Sequence, residues 1–442
     1  MEPVTGRPSP YRARAWWGDQ LVADSTAAVR VEAPDQPPAL FFPCTDIRLD
    51  LFRDEGRTAT DPVLGEVRLW GIAGAGASRD PAGGAPGAAP GADDGGWHGD
   101  RLDQSDGRDV LRGVVAPPPE LAWLSGLAAF DHDRVRIELE DGRPGDDPRD
   151  VTVKRFPTWG DAADLIDIMD VRPAGEGTYV SVARSDGRRP VVEGSQMLGQ
   201  AIVAAGRHAP GRRAVSAHMV FLRAADARQP LLFTLEELTA GRTFTTLSVT
   251  VSQRGRAVAR GTLLLDATAP DVIRHAADPP DAPGPYDSEP YDMGVTGRDL
   301  RVAEGAYTDD PDAPVGPPVI DAWVRFREVP DDPYLHAGLL AQFTGHMSIA
   351  AALRPHAGIG QRQAHRTLST AINAITLSLH ADVRADDWML YHHLSTFGGD
   401  GMTHSECRVH DRAGRLLASF TVEAMVRGFP GGGAAADDRT AL

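Results

Sequence analysis

Cysteine is nearly absent from this 442-residue chain. Cys44 and Cys407 are far apart and outside any metal-binding spacing. A disulfide framework is therefore excluded, and a reducing cytoplasm is the expected setting. Long apolar runs are missing too. No stretch reaches 18 apolar residues, so no membrane span is expected. The opening "MEPVTGRPSPYRARAWWGDQ" lacks the apolar core of a signal peptide. Positive charge is in deficit, with 45 Lys and Arg against 62 Asp and Glu, a net charge of -17. Such a surface repels phosphates, which argues against a nucleic-acid partner. A few arginines and helix N-termini can still hold an anionic ligand.

Several motifs are also missing. No "GK[ST]" follows the "AGAGA" near residue 73, so there is no phosphate loop. No Gly-x-Ser-x-Gly elbow supports a serine hydrolase. His392 and His393 adjoin on a strand and face opposite sides. With no Cys, Asp or Glu at ligand spacing nearby, no metal is expected.

What is present is globular: 42% hydrophobic and 24% charged residues, enough for about three domains at ~150 residues each. Residues 1–143 alternate in the manner of strands, with turn chemistry between runs. Within them, 73–96 ("AGAGASRDPAGGAPGAAPGADDGG") hold no large apolar side chain and are expected to be a disordered insertion. A linker is expected at 144–160, a first α+β repeat at 161–268, and a Pro- and Asp-rich linker at 269–290. A second repeat follows at 291–428 and a disordered tail at 429–442.

Each repeat reads as a long apolar helix followed by a meander of four strands. "SQMLGQAIVAAGRH" is the first helix and "YLHAGLLAQFTGHMSIAAALRPH" the second. Strands curling around such helices would bury them. Small residues, among them Gly199, Ala201, Ala204 and Ala205, and then Ser348 and Ala350 to Ala352, would let the sheet approach. The second helix raises a question. It carries Thr344, Gly345 and His346 at its centre, where glycine costs about 1 kcal/mol against alanine.

"GSQMLGQAIVAA", "AVSAHMVFLRAA", "YLHAGLLAQFTGHMSIAAALRPHAG", "SLHADVRADDWMLY" and "DRAGRLLASFTVEAMVR" resemble the two repeats of the acyl-CoA thioesterase II family, over roughly residues 160–428. The resemblance implies a double hotdog fold: two long helices wrapped by antiparallel sheets, here behind a small mostly-β domain. "VADSTAAVRVE", "FFPCTDIRLDLF", "LGEVRLW" and "LAAFDHDRVRIE" resemble the domain-of-unknown-function 427 family, with Leu64 where its motif usually has a basic residue.

The thioesterase resemblance also implies a site. An Asp on the second helix, a Ser or Thr on the next strand and a Gln near the end of the last strand position the attacking water in that family. Aligned through the flanking motifs, those positions are Gly345, Ile372 and Val422. Three explanations stay open. The strand register differs, bringing in Thr370 or, through a bulge, Asn373. The chemistry has moved to neighbours: Thr344, His346 as general base, or Glu423. Or hydrolysis is absent and the scaffold binds an acyl thioester, or runs a dehydration, cyclisation or condensation in biosynthesis.

His218 matches a histidine of the family's first repeat, and Gln196 and Gly199 match its Gly-Gln element at the start of the first helix. Each has a structural alternative: core hydrogen bonding for the histidines, close packing for the glycines, and for Thr344 a bond back to Leu340 or Ala341. No cofactor is expected beyond the CoA or acyl-carrier thioester that would be the substrate. An acyl carrier protein and a second copy of the chain are the partners the resemblance implies.

Overall fold

The computed structural model describes residues 4–33, 38–61, 64–73, 107–142, 147–158, 160–183, 191–303, 305–307, 312–364 and 367–429. All of the expected insertion 73–96 except Ala73 lies outside them, as does all of the tail 429–442 except Phe429.

The chain divides into two compact units, one essentially residues 1–159 and the other 160–442. The first holds a seven-stranded and a four-stranded antiparallel sheet. Alternation in Arg12–Trp17 sends Ala13 and Ala15 inward, at 0% exposure. They pack with Phe42, Phe130, Leu111 and Ile137, and each buried Phe or Leu contributes about 1.5–3 kcal/mol. Phe42 and Phe130 meet edge to face at 5.3 Å. The segment expected to be a linker at 144–160 includes a strand, Val153–Phe156, paired with Arg136–Glu140 at the edge of the four-stranded sheet. Its Lys154 and Phe156 alternate inward, a pattern too short to stand out in the sequence.

The second unit is a double hotdog built on one 13-stranded sheet. Helix α1 spans Ala162–Met169 and opens with an Asp161–Asp164 capping box. Helix α2 spans Gly194–His208, and every residue from Ser195 to Gly206 is buried. Four strands follow it: Arg213–Phe221, Leu232–Ala240, Phe244–Gln253 and Arg256–Asp266. In the second half, four strands again follow the helical part: Leu368–Leu379, Met389–Gly399, Met402–Asp411 and Leu416–Gly428. Arg213–Phe221 pairs with Leu368–Leu379, and outward from that junction both halves run in the same order: first strand, fourth, third, second. The expected simple meander is therefore corrected. The first strand pairs with the fourth, which lets each four-strand group close over its helix.

The second helix is not one helix. Helix α3 spans Pro333–Phe343, with Asp332 capping its N-terminus, and helix α4 spans Ser348–Leu353. Between them, His346 N–H bonds to the Phe343 carbonyl at 3.0 Å and Ser348 N–H to the His346 carbonyl at 2.8 Å, tighter than α-helical spacing. Met347 then takes a left-handed φ of 64°, which costs a side-chain-bearing residue about 1–2 kcal/mol. The Gly-His pair thus sits in a break rather than in a helix interior.

A second expectation is corrected at Gly199. A Cβ there would fall on the Gly338 carbonyl oxygen of α3, and one at Gly338 would lie 2.8 Å from Val203 Cγ2. Gly199 admits the neighbouring helix rather than the sheet. Glycine at both positions lets two backbones touch where any side chain would hold them apart.

Candidate active site

Glu193 precedes α2 in the N-cap position, with extended backbone (φ -64°, ψ 142°). An N-cap side chain ordinarily accepts from the first-turn N–H groups. That of Glu193 makes no such bond. Its carboxylate reaches the break in the second helix instead. Oε1 lies 3.5 Å from His346 Nε2, and Oε2 accepts from Gln342 Nε2 at 3.3 Å. The His346 ring stacks flat on Phe343, centroids 4.6 Å apart and planes 4° apart. His346 is about nine-tenths covered, while the Glu193 side chain keeps 32% of its exposure, so solvent reaches the pair.

The start of α2 therefore faces this pair with its first-turn N–H groups uncapped by a side chain. It is a dipole end suited to a developing negative charge. Ser195, in that turn, is 1% exposed, and its hydroxyl has no hydrogen-bond partner among the described residues. A Cβ at Gly345 would lie 2.5 Å from Ser195 Oγ and 3.1 Å from Ile372 Cδ1. The hydroxyl thus occupies the space where a side chain at 345 would begin.

The strand Leu368–Leu379 carries a register shift. Ile372 pairs with Ala424 and Ala374 with Glu423, leaving Asn373 as the extra residue of a bulge. The shift moves the helix-facing set from Thr370 and Ile372 to Ile375, Leu377 and Leu379. Bulges re-aim side chains, and Asn373 Oδ1 is buried with no hydrogen-bond partner among the described residues. Val422 is buried opposite Ile375.

The other candidates go elsewhere. Thr344 is fully buried and donates its hydroxyl to the Ala341 carbonyl at 2.6 Å, the structural bond expected of a buried helical threonine. Glu423 is exposed on the outer face, 3.5 Å from His404 Nε2. His218 is exposed, with Nδ1 2.9 Å from Thr376 Oγ1. Gly199 is filled by α3, as described above. Gln196 is buried in the first turn of α2, and Thr370 is buried on the helix-facing side of its strand. The structure thus gathers His346, Gly345 and Ile372 and sends Glu423 and His218 outward. Glu193 and Ser195 are additions. The available signal was an acid directly before Gly-Ser at the start of a buried helix.

Deeper in the second half, His393 Nδ1 lies 3.1 Å from Ser348 Oγ and 3.4 Å from Cys407 Sγ. Burial, with smaller contributions from His392 and His346, pushes the His393 imidazole down to about 3. Burial pushes the Cys407 thiol up to about 12. Near pH 7 the thiol therefore keeps its proton and the imidazole, although neutral, is a poor proton acceptor, so this cluster supplies neither a thiolate nor an effective base. A shallow, solvent-open cleft borders α4, lined by Tyr307, Val315, Ala350, Leu353 and Ile359 among others. Gly345 and His346 are not part of its lining. Among the described residues no helix is long and apolar enough to cross a membrane.

The comparisons with known proteins agree with this architecture. Residues 185–265 match the family described as "Acyl-CoA thioesterase N-terminal domain", residues 270–426 its "Acyl-CoA thioesterase C-terminal domain", and residues 5–82 the "Domain of unknown function (DUF427)". Acyl-coenzyme A thioesterase 8 of Mus musculus is 26% identical over 266 residues, 53% of this chain and 79% of that protein. Its Homo sapiens counterpart is 27% identical over 261 residues, 53% of this chain and 80% of that protein. Among solved structures, an acyl-CoA thioesterase II (TesB2) from Mycobacterium marinum superposes with a TM-score of 0.51 at 26% identity, over 60% of this chain and 98% of that one. A tesB protein of Mycobacterium avium subsp. paratuberculosis gives 0.51 at 23% identity, over 60% and 99%, a likeness of fold. Residues 185–426 of this chain therefore belong to the acyl-CoA thioesterase family as its paired N-terminal and C-terminal domains, behind a segment of the DUF427 family.

Proposed function

We propose that this protein hydrolyses an acyl thioester, with His346 as general base and Glu193 as the carboxylate that orients it. The observation that carries this reading is the 3.5 Å approach of Glu193 Oε1 to His346 Nε2 beside the uncapped start of α2. His346 would take a proton from water as its oxygen attacks the thioester carbonyl carbon. The carbonyl oxygen, becoming negative, would sit against the first-turn N–H groups of α2 and the Ser195 hydroxyl. The C–S bond then breaks, and the departing sulfur takes the proton from the imidazolium. Water and thioester are thereby converted to a carboxylic acid and a free thiol. Glu193 would stabilise the imidazolium in between.

The family's carboxylate position, Gly345 here, is where the Ser195 hydroxyl stands. On this reading the acid has moved from the second helix to the residue before the first. The unpaired Cys44 and Cys407 suit a cytoplasmic setting.

The test is incubation with a panel of acyl-CoA and acyl-carrier thioesters and a free-thiol reagent. Thiol release well above background, abolished in His346→Ala, is the expected result. The panel also separates CoA from carrier protein as the thiol donor. A second reading, binding without hydrolysis, is favoured by the apolar Ile372 and Val422 on the helix-facing side. Tight binding with no thiol release would support it and overturn the first.

A further inference from the structure

Two sets of partners compete for the Glu193 carboxylate. Its N-cap position offers the N–H groups of its own helix, and the break in the second helix offers His346. Gln342 decides between them by geometry. It is 1% exposed, on the last turn of α3, and both ends of its amide are used. Arg298 Nη1 donates to Gln342 Oε1 at 3.1 Å. Since a guanidinium can only donate, the amide oxygen must face Arg298, and the NH₂ must face Glu193. Arg298 is itself 4% exposed, and its guanidinium lies 4.8 Å over the Phe343 ring, the ring on which His346 stacks. Arg298 therefore holds both arms of the pair: through Gln342 it reaches Glu193, and through Phe343 it reaches His346.

We propose that Gln342, anchored by the buried Arg298, is a positioning residue that keeps the Glu193 carboxylate turned to His346 and off the N-terminus of α2. This rests on the Glu193–His346 reading above. The arrangement serves two ends. The carboxylate is aligned with the imidazole, and the α2 start stays open for a carbonyl oxygen. Without the Gln342 bond, the carboxylate loses a contact that draws it away from its own helix, whose first-turn N–H groups ordinarily attract a side chain at that position. A rotation onto those groups would misalign the base and fill the anion site.

The experiment compares wild type, Gln342→Met, Arg298→Lys and Glu193→Gln. Met keeps the length of Gln and cannot donate. Lys keeps the charge and loses the planar fork that reaches Gln342 while lying over Phe343. Thermal melts identify any variant that fails to fold, and either of the two positioning variants suffices. In the thiol-release assay, kcat is expected to fall roughly tenfold to a hundredfold in Gln342→Met. KM should stay within about twofold of wild type, and the acid limb of the kcat–pH profile should move to lower pH.

The second readout needs no hydrolysis. NMR titration of the His346 imidazole should show Gln342→Met moving the curve in the same direction as Glu193→Gln. A His346 titration that responds to Glu193→Gln but not to Gln342→Met or Arg298→Lys overturns the proposal, whatever the activity. So does one that responds to none of them. A wild type that releases no thiol overturns the hydrolytic reading, and the titration still judges the positioning claim.

Discussion

The two hotdog helices follow one plan and end differently. α2 runs unbroken for 15 residues, is buried along almost its whole length and opens on a glutamate that does not cap it. Its counterpart is cut after 11 residues by the turn at 344–347 and resumes as the short α4. The first helix supplies a clean N-terminus and the second supplies a gap facing it. A continuous second helix would keep the His346 backbone in regular register. The break lets the imidazole lie flat on Phe343 with Nε2 toward Glu193. The repeat thus provides the scaffold, and its local failure brings His346 to Glu193.

This contrast can be broken in order of effect. The largest change is expected from Glu193→Gln, which removes the charge supplied by the first helix and leaves the fold intact. Turnover in the thiol-release assay should fall by about a hundredfold. Gly345→Asp comes next, restoring a carboxylate to the second helix at a point 2.5 Å from Ser195 Oγ. Overpacking of this kind costs about 1–3 kcal/mol, read as a lower urea midpoint. Combining it with Ser195→Gly should recover most of that loss, and failure of the pair to recover would mean that Ser195 is not the obstruction.

Gly199→Ala tests the place where the two helices touch. Its Cβ would fall on the Gly338 carbonyl, and about 1–3 kcal/mol of stability should be lost. Gly398→Ala, with nothing within 4 Å, should change stability by less than about 0.5 kcal/mol. A readout of a different kind is the pH response of the second half. His393 stays neutral when folded, down to about 3, whereas an unfolded histidine takes up its proton near 6.5. Its contribution is complete above pH 6.5 and is lost as pH falls from there towards 3. The slope is at most about 1.4 kcal/mol per pH unit. Burial also lowers His336, His380 and His410, and they tilt the curve the same way. Urea midpoints at pH 7 and pH 5 should differ less in His393→Gln than in wild type.

Much of this was legible beforehand because it follows from local pattern. The runs Leu232–Ala240, Phe244–Gln253 and Arg256–Asp266 announce strands by their alternation and by the turns between them. The helix of residues 194–208 announces itself by apolar content. The bond from Thr344 to Ala341 is legible as well, since a buried helical threonine has few other acceptors in reach. The break at 344–347 was visible as an anomaly and not as a break. A glycine lowers helix propensity, but nothing local tells a strained Met347 from a helical one. Asn373 is similar: its polarity is plain, yet a bulge appears only when two strands are paired and one has a residue too many.

Glu193 and Gln342 are 149 residues apart, and no spacing rule links them. The order of elements along the chain, the doubled repeat and the apolar filling of both helical segments were set by the sequence alone, because periodicity and turn chemistry act over a few residues. Which glutamate meets which histidine was decided only in three dimensions, where the closing of one sheet over two helices brings an uncapped end to a broken one.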